Sequence, residues 1–187
     1  MRHRNPKISE TFLALCHFRW SLPALAEFSR LEGQAKFVTL QRRLDVSRAS
    51  LQRTLKSLIV LGLVKKNEGY GHPMRPEYLL TSTGGQATVS ASRLMHTLKR
   101  QRLTNLGLRK WSMPVLGSLA IVPGQFNRLQ AALTGITPRA LSKALGDLEH
   151  AGWLGRALLE SRPPRWDYRP LPKSKALVLA ANELQRL

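Results

Sequence analysis

The feature that most constrains this chain is an internal repeat, because one pattern of residues occurs twice, about 90 positions apart. Trp20-Ser-Leu-Pro23 in the first copy corresponds to Trp111-Ser-Met-Pro114 in the second. Further matches keep the same order and nearly the same offset: Phe37, Leu40, Gln41 and Leu44 with Phe126, Leu129, Gln130 and Leu133; Leu51, Leu55, Leu58 and Gly62 with Leu141, Leu145, Leu148 and Gly152; Arg75, Glu77 and Tyr78 with Arg165, Asp167 and Tyr168. We therefore expect two copies of one structural unit.

The helices of each copy can be read from their end signals. Two short helices are followed by a tight turn, and the turn ends at Ser47 in unit one and at Thr137 in unit two. Both residues suit the N-cap of a third helix, and Pro138 fits its first position. The leucines of this third helix share one stripe, and Gly62 or Gly152 predicts its end. Helix, helix, turn and helix is the core of a helix-turn-helix unit.

A hairpin follows the third helix in both copies. "LVKKN" and "WLGRALLE" predict first strands, "EYLLT" and "WDYRP" predict second strands, and the segments between them are rich in turn residues. The fold class is thus mainly α with small β-hairpin wings: two tandem winged helix-turn-helix domains in a pseudo-two-fold arrangement. We expect an N-terminal helix in residues 1–19, domain 1 at 20–83, a linker helix in 84–110 that is continuous over 84–109, and domain 2 with a C-terminal helix at 111–187.

The charge of the chain points to a polyanionic partner. Lys and Arg number 30 against 11 Asp and Glu, for a formal net charge of +19. Double-stranded DNA is the leading partner for such a balance, and an anionic membrane surface is the rival. One cysteine permits no internal disulfide, the histidines have no zinc spacing, and no apolar run approaches the roughly 20 residues of a membrane span. We expect a cytoplasmic, nucleoid-associated protein without a cofactor.

The two units resemble the HxlR-type and MarR-type winged-helix regulators of bacteria. In unit two the resemblance is carried by Phe126-Asn-Arg-Leu129, Gly135-Ile-Thr-Pro-Arg-Ala-Leu-Ser142, Leu145, Leu148, Glu149, Ala151, Gly152, and a wing ending in Pro163, Pro164, Arg165 and Tyr168. Unit one is looser, and its Tyr78-Leu-Leu-Thr-Ser-Thr-Gly84 is similar to the junction between wing and helix. The resemblance implies DNA binding by homodimers with one winged helix per chain. Two units in tandem favour one chain acting as a pseudo-dimer, and both states are left open.

The exposed face of the third helix is the expected reader of the major groove, which accepts one α-helix. At about 100° per residue, the face opposite the leucine stripe is polar in both units. The candidate DNA-binding residues on and beside these helices are Ser47, Arg48, Ala49, Gln52, Arg53 and Lys56, with Thr137, Arg139, Ser142 and Lys143. Because the two faces differ, we expect unequal half-sites.

The wings add cations that suit phosphates or the minor groove, namely His72 and Arg75 in unit one and Arg162 and Arg165 in unit two. Tyr78 and Tyr168 are expected in the core, and Cys16 lies on an apolar stripe. The dispersed acidic residues and the absence of a paired nucleophile and base argue against an enzyme. Transcriptional regulation, most simply repression, is favoured. The alternatives are a plasmid or phage replication initiator, an architectural nucleoid protein and a protein-interaction module.

Overall fold

The computed structural model describes residues 6–67, 76–161 and 164–187. Unit one begins with an N-terminal helix, continues through the helix-turn-helix and hairpin, and ends in a long helix. Its elements are α1 (Glu10–His17), α2 (Ser21–Arg30), β1 (Gln34–Lys36), α3 (Phe37–Leu44), α4 (Arg48–Val60), β2 (Val64–Asn67), β3 (Glu77–Leu80) and α5 (Ser82–Arg100). The strands form an antiparallel sheet of order β1-β3-β2, in which Tyr78 faces Ala35 on one side and Lys66 on the other.

Unit two repeats this order. Its elements are α6 (Thr104–Gly107), α7 (Ser112–Ser118), α8 (Phe126–Ala132), α9 (Pro138–His150), β4 (Leu154–Leu159), β5 (Arg165–Pro170), a 3₁₀ turn (Pro172–Ser174) and α10 (Lys175–Leu184). Strands β4 and β5 pair antiparallel, and a single bridge between Gln125 and Asp167 stands where unit one has β1. The expected fold class, mainly helical with two tandem winged helix-turn-helix units, is confirmed.

The third helix of each unit ends where the sequence predicts. Gly62 and Gly152 follow the last turns of α4 and α9 with φ of 68° and 70°, a backbone region that glycine enters without a Cβ penalty. The amide of Leu63 donates to the carbonyl of Leu58 at 3.0 Å, and Trp153 repeats the contact in unit two at 2.9 Å. These bonds are the Schellman pattern, which satisfies carbonyls that the helix end leaves free.

The prediction of one continuous helix over 84–109 is wrong. The helix begins at Ser82 and ends at Arg100, after which Arg102 takes a left-handed φ of 57°. The same Schellman bond closes this end, from the amide of Leu103 to the carbonyl of Leu98 at 3.1 Å. The reversal lets Gly107 pack directly on Leu98, at a site where a Cβ would lie 2.4 Å from the leucine side chain. A straight helix could not make this contact.

A second close approach fixes the start of α5 against the sheet. A Cβ on Gly84 would lie 1.8 Å from the carbonyl oxygen of Leu63, whereas a Cβ on the neighbouring Gly85 would meet nothing within 4 Å. The side chain of Thr81 caps the helix by accepting from the Gly84 amide at 3.0 Å. The missing side chain at Gly84 therefore allows the first turn of α5 to pack directly on the backbone that follows α4.

The last helices of the two units, α5 and α10, pack on each other. Within its own unit α5 packs on α2, and α10 packs on the equivalent α7, while one cluster of buried apolar side chains runs through both units. Arg93 and Glu183 occupy equivalent positions of the repeat, and the Arg93 Nη1 lies 3.1 Å from the Glu183 Oε1. Equivalent residues contact each other where they lie beside the axis of a two-fold arrangement, since both units then use the same surface patch. The units are thus related by an approximate internal dyad, as expected.

Candidate nucleic-acid interface

The turn before each third helix is built in the same way. Asp45 and Gly135 both take left-handed φ values, of 48° and 80°. The hydroxyl of Ser47 accepts from the amide of Ser50 at 3.3 Å, and Thr137 accepts from Ala140 at 3.2 Å. The two predicted N-caps are therefore confirmed, and Pro138 occupies the first turn of α9. These local bonds fix where each helix starts and hence which side chains face outward.

The predicted polar faces are exposed in both units. Leu51, Leu55 and Leu58 of α4 are buried, and so are their equivalents in α9, Leu141, Leu145 and Leu148. Positions 46–58 and 136–148 have the same burial class residue by residue. The exposed set includes every predicted residue of these two helices and their caps: Ser47, Arg48, Ala49, Gln52, Arg53, Lys56, Thr137, Arg139, Ser142 and Lys143.

The two faces carry different electrostatics. On α4, Arg53 and Lys56 have no carboxylate at ion-pair distance within the described part of the chain, and Arg48 lies over the ring of Phe37 at 5.9 Å. On α9, Asp147 holds the Lys143 Nζ at 3.5 Å and also pairs with Arg109. Unit one has Ser57 at the position of Asp147. The second face is thus partly neutralised from within its own helix.

The wings are described in part. His72, Arg75 and Arg162 lie outside the described residues, so their predicted roles stay predictions. Arg165 is exposed at the start of β5, opposite Leu159 of β4. Tyr78 and Tyr168 are partly buried against the core, as expected.

A stacked pair on the second wing was missed by the sequence reasoning. Trp166 keeps 44% of its surface exposed, and the guanidinium of Arg156 lies 4.5 Å from its ring centroid. Arg156 also pairs with Glu149 of α9 at 3.1 Å. The two residues sit on neighbouring strands, two pairings from a straight cross-strand match, so only the hairpin register reveals the contact.

The described residues contain no evident catalytic constellation. Cys16 is buried, and its burial raises the pKa of the thiol far above the usual range, so the thiol stays protonated. No group of three or more potential metal ligands occurs in the described ranges. None of the helices described is long and apolar enough to span a bilayer.

Comparison with protein families agrees with this geometry. The model of the HxlR-like helix-turn-helix family matches residues 15–104 and again residues 106–187. The chain belongs to the HxlR-like helix-turn-helix family. Membership suggests a DNA-binding transcriptional regulator rather than an enzyme, with DNA as the partner. No curated protein and no solved structure matches the chain. In this HxlR-like protein, the family match occurs twice in one polypeptide and covers both units.

Proposed function

We propose that this HxlR-like protein is a repressor that binds one duplex DNA site with two recognition helices. Helices α4 and α9 enter major grooves, and the wings contact the backbone or the minor groove. The observation that carries the proposal is the pair of capped third helices with matching burial and an outward cationic face. On a chain of net charge +19, such faces suit a polyanion.

The proposed contacts divide into base readers and phosphate contacts. Arg53 and Gln52 suit bidentate bonds to guanine and adenine, and Ser142 suits single bonds to several bases. Lys56 and Lys143 suit phosphates or guanine, and Ser47 and Thr137 lie at helix starts, where phosphates are favoured. Because Lys56 corresponds to Gly146 and Ala49 to Arg139, we expect the two half-sites to differ.

The proposed binding unit is a single chain. The internal dyad already supplies two recognition helices, which a protein with one winged helix obtains only by dimerising. One protein molecule per site is the expected stoichiometry, and the complex mass measured by light scattering tests it.

Selection of bound sequences from a random pool, followed by footprinting, tests the proposal. An asymmetric site overlapping a promoter is the expected result, and a perfect palindrome as the preferred site would overturn the unequal half-sites. An iterated array at an origin would instead favour a replication initiator, and uniform coverage would favour an architectural protein.

Matched variants test the named faces. Arg53→Ala should weaken binding and relax one half-site by about 1–3 kcal/mol, whereas Arg186→Ala removes an equal charge from the exposed end of the chain and should change neither. Equal losses in the two variants would mean that net charge alone, and not the face of α4, drives binding.

A further inference from the structure

Unit one contains a cleft of about 430 Å³, and only part of its lining has an equivalent in unit two. It lies between α2, α5 and α6, and the end of α3 closes one side. Trp20, Met95 and Leu108 supply apolar walls, among others. Its charged lining is strongly unbalanced, with five basic side chains and one carboxylate: Arg19, Arg30, Arg43, His96, Lys99 and Glu27.

Part of this positive charge is already compensated. Glu27, whose side chain is only 9% exposed, accepts from Arg30 at 2.7 Å and from Arg43 at 3.5 Å. Arg19 instead donates to the amide oxygen of Asn105 at 2.6 Å, and its guanidinium lies 5.9 Å from the centroid of the Trp20 ring. Within the described ranges, Arg19 faces no carboxylate at ion-pair distance, so its charge stays available at the cleft.

A polar atom without a partner lies in the same wall. The hydroxyl of Ser92 is buried and has no hydrogen-bond partner among the described residues, and Ser92 lines the cleft. A buried hydroxyl without a hydrogen bond is costly, and a ligand atom would satisfy it. Thus a guanidinium without a carboxylate partner, a hydroxyl without a hydrogen bond and an indole ring line one concave surface.

The repeat supplies an internal comparison. The positions equivalent to Glu27, Arg30 and Arg43 are Ser118, Ile121 and Ala132. Asn105 corresponds to Ala14, and Gln185, equivalent to Met95, donates to the carbonyl of Gly117 at 3.1 Å. A lining needed only for folding, or for a task shared by both units, would be expected in both copies. The Glu27 ion-pair cluster and Asn105 therefore occur in unit one alone, whereas the cation Arg19 beside Trp20 has a counterpart in Lys110 beside Trp111.

We infer that this cleft binds a small organic anion with a flat apolar body. The anionic group pairs with Arg19 and accepts from the hydroxyl of Ser92, while the body lies against Trp20. The volume is within the range of small-molecule sites, which are concave and mostly apolar with a few placed polar groups. The inference goes beyond DNA binding and concerns a separate surface.

Calorimetric titration and thermal melting with naphthoate test the site, and the uncharged naphthamide serves as the matched ligand. We expect naphthoate to bind and raise Tm, and naphthamide to bind at least tenfold more weakly, because a charge-assisted bond is lost. Arg19→Gln should weaken naphthoate at least tenfold and Ser92→Ala severalfold. Lys110→Gln changes the equivalent residue of unit two, outside the cleft, and should bind as the native protein does.

Several results would overturn the inference: no binding of naphthoate, equal binding of naphthamide, or equal losses in Arg19→Gln and Lys110→Gln. A DNA phosphate is the other source of an anion at this cleft, and a DNA titration separates the two sources. We expect both variants to keep the same salt dependence on a bound duplex. A slope reduced by about 0.9 in Arg19→Gln alone would assign the cleft to a phosphate. Because ligand binding is measured without DNA, its failure leaves the proposed repressor function untouched.

Discussion

Replacement of Asp147 by serine should strengthen DNA binding by this protein. Asp147 pairs with Lys143, which points from the recognition face, and with Arg109 from the segment before α7. Serine is the residue that unit one carries at the equivalent position, so the same helix geometry already accepts it. Asp147→Ser frees both cations and removes a negative charge from the face proposed to meet DNA.

The size of the effect follows from counterion release. One additional phosphate contact steepens the dependence of log K on log salt by about 0.9. Taking the contact to add nothing at about 1 M salt, that slope makes binding roughly eightfold tighter at about 0.1 M salt. The side chains of Lys143, Arg109 and Asp147 are 72%, 54% and 28% exposed, so solvent screens both ion pairs and the loss of each costs at most about 1 kcal/mol of stability. We therefore expect five- to tenfold tighter binding, with a fall in Tm no larger than the loss of two screened pairs produces.

Fluorescence anisotropy on the selected duplex, repeated across salt concentrations, measures both quantities. Glu183→Gln is the matched control, because it also removes one negative charge and frees one arginine, Arg93, but at the internal dyad. Ser57→Asp is the reverse change and should weaken binding, since it brings a carboxylate to unit one four residues after Arg53. An unchanged salt slope in Asp147→Ser, or an equal gain in Glu183→Gln, would refute the argument that Lys143 lies at the DNA.

Three further predictions concern stability and are read by urea denaturation. Gly84→Ala should lower the free energy of unfolding by about 2–4 kcal/mol, because its Cβ would meet a backbone carbonyl at 1.8 Å. Gly85→Ala, whose Cβ would lie in open space, should raise the free energy of unfolding by up to about 1 kcal/mol. Losses of the same size in both variants would contradict the close approach at Gly84. Arg102→Gly should raise the unfolding free energy by about 0.5–1 kcal/mol, because glycine accepts the left-handed conformation without strain, and a decrease would count against the assigned helix end. Arg93→Glu should lower stability by placing like charges together, and adding Glu183→Arg should restore most of the loss; a double variant no better than the single one would contradict direct pairing.

The helix-turn-helix parts of the fold could be predicted because their signals are local. The hydroxyl of Ser47 or Thr137 and the glycine at 62 or 152 act within one turn of the helix, so the amino-acid sequence around each helix end is enough to predict it. The end of α5 could not be predicted in this way. Arginine at position 102 is not a usual stop signal, and the reversal depends on a contact between segments that the sequence alone does not place together.

The same division applies to the candidate interface. Helical periodicity predicted which side chains of α4 and α9 face outward, because the period depends only on backbone geometry. Periodicity did not reveal that Asp147 also forms an ion pair with Arg109, or that Arg156 stacks on Trp166, since each contact joins separate elements. The assignment of these faces to DNA stays a prediction, and binding experiments decide it.

Fusion of the two units has a physical consequence that dimerisation could not give. In a symmetric homodimer every substitution occurs on both sides, so the position of Arg93 would bring two like charges together at the axis. In one chain the second copy carries Glu183 there, and the contact becomes an ion pair. In the same way, unit one carries Ser57 where unit two carries Asp147, and Glu27 where unit two carries Ser118. Divergence at the axis thus replaces a like-charge contact by an ion pair, and divergence on the outer faces is the basis of our prediction that the two half-sites differ.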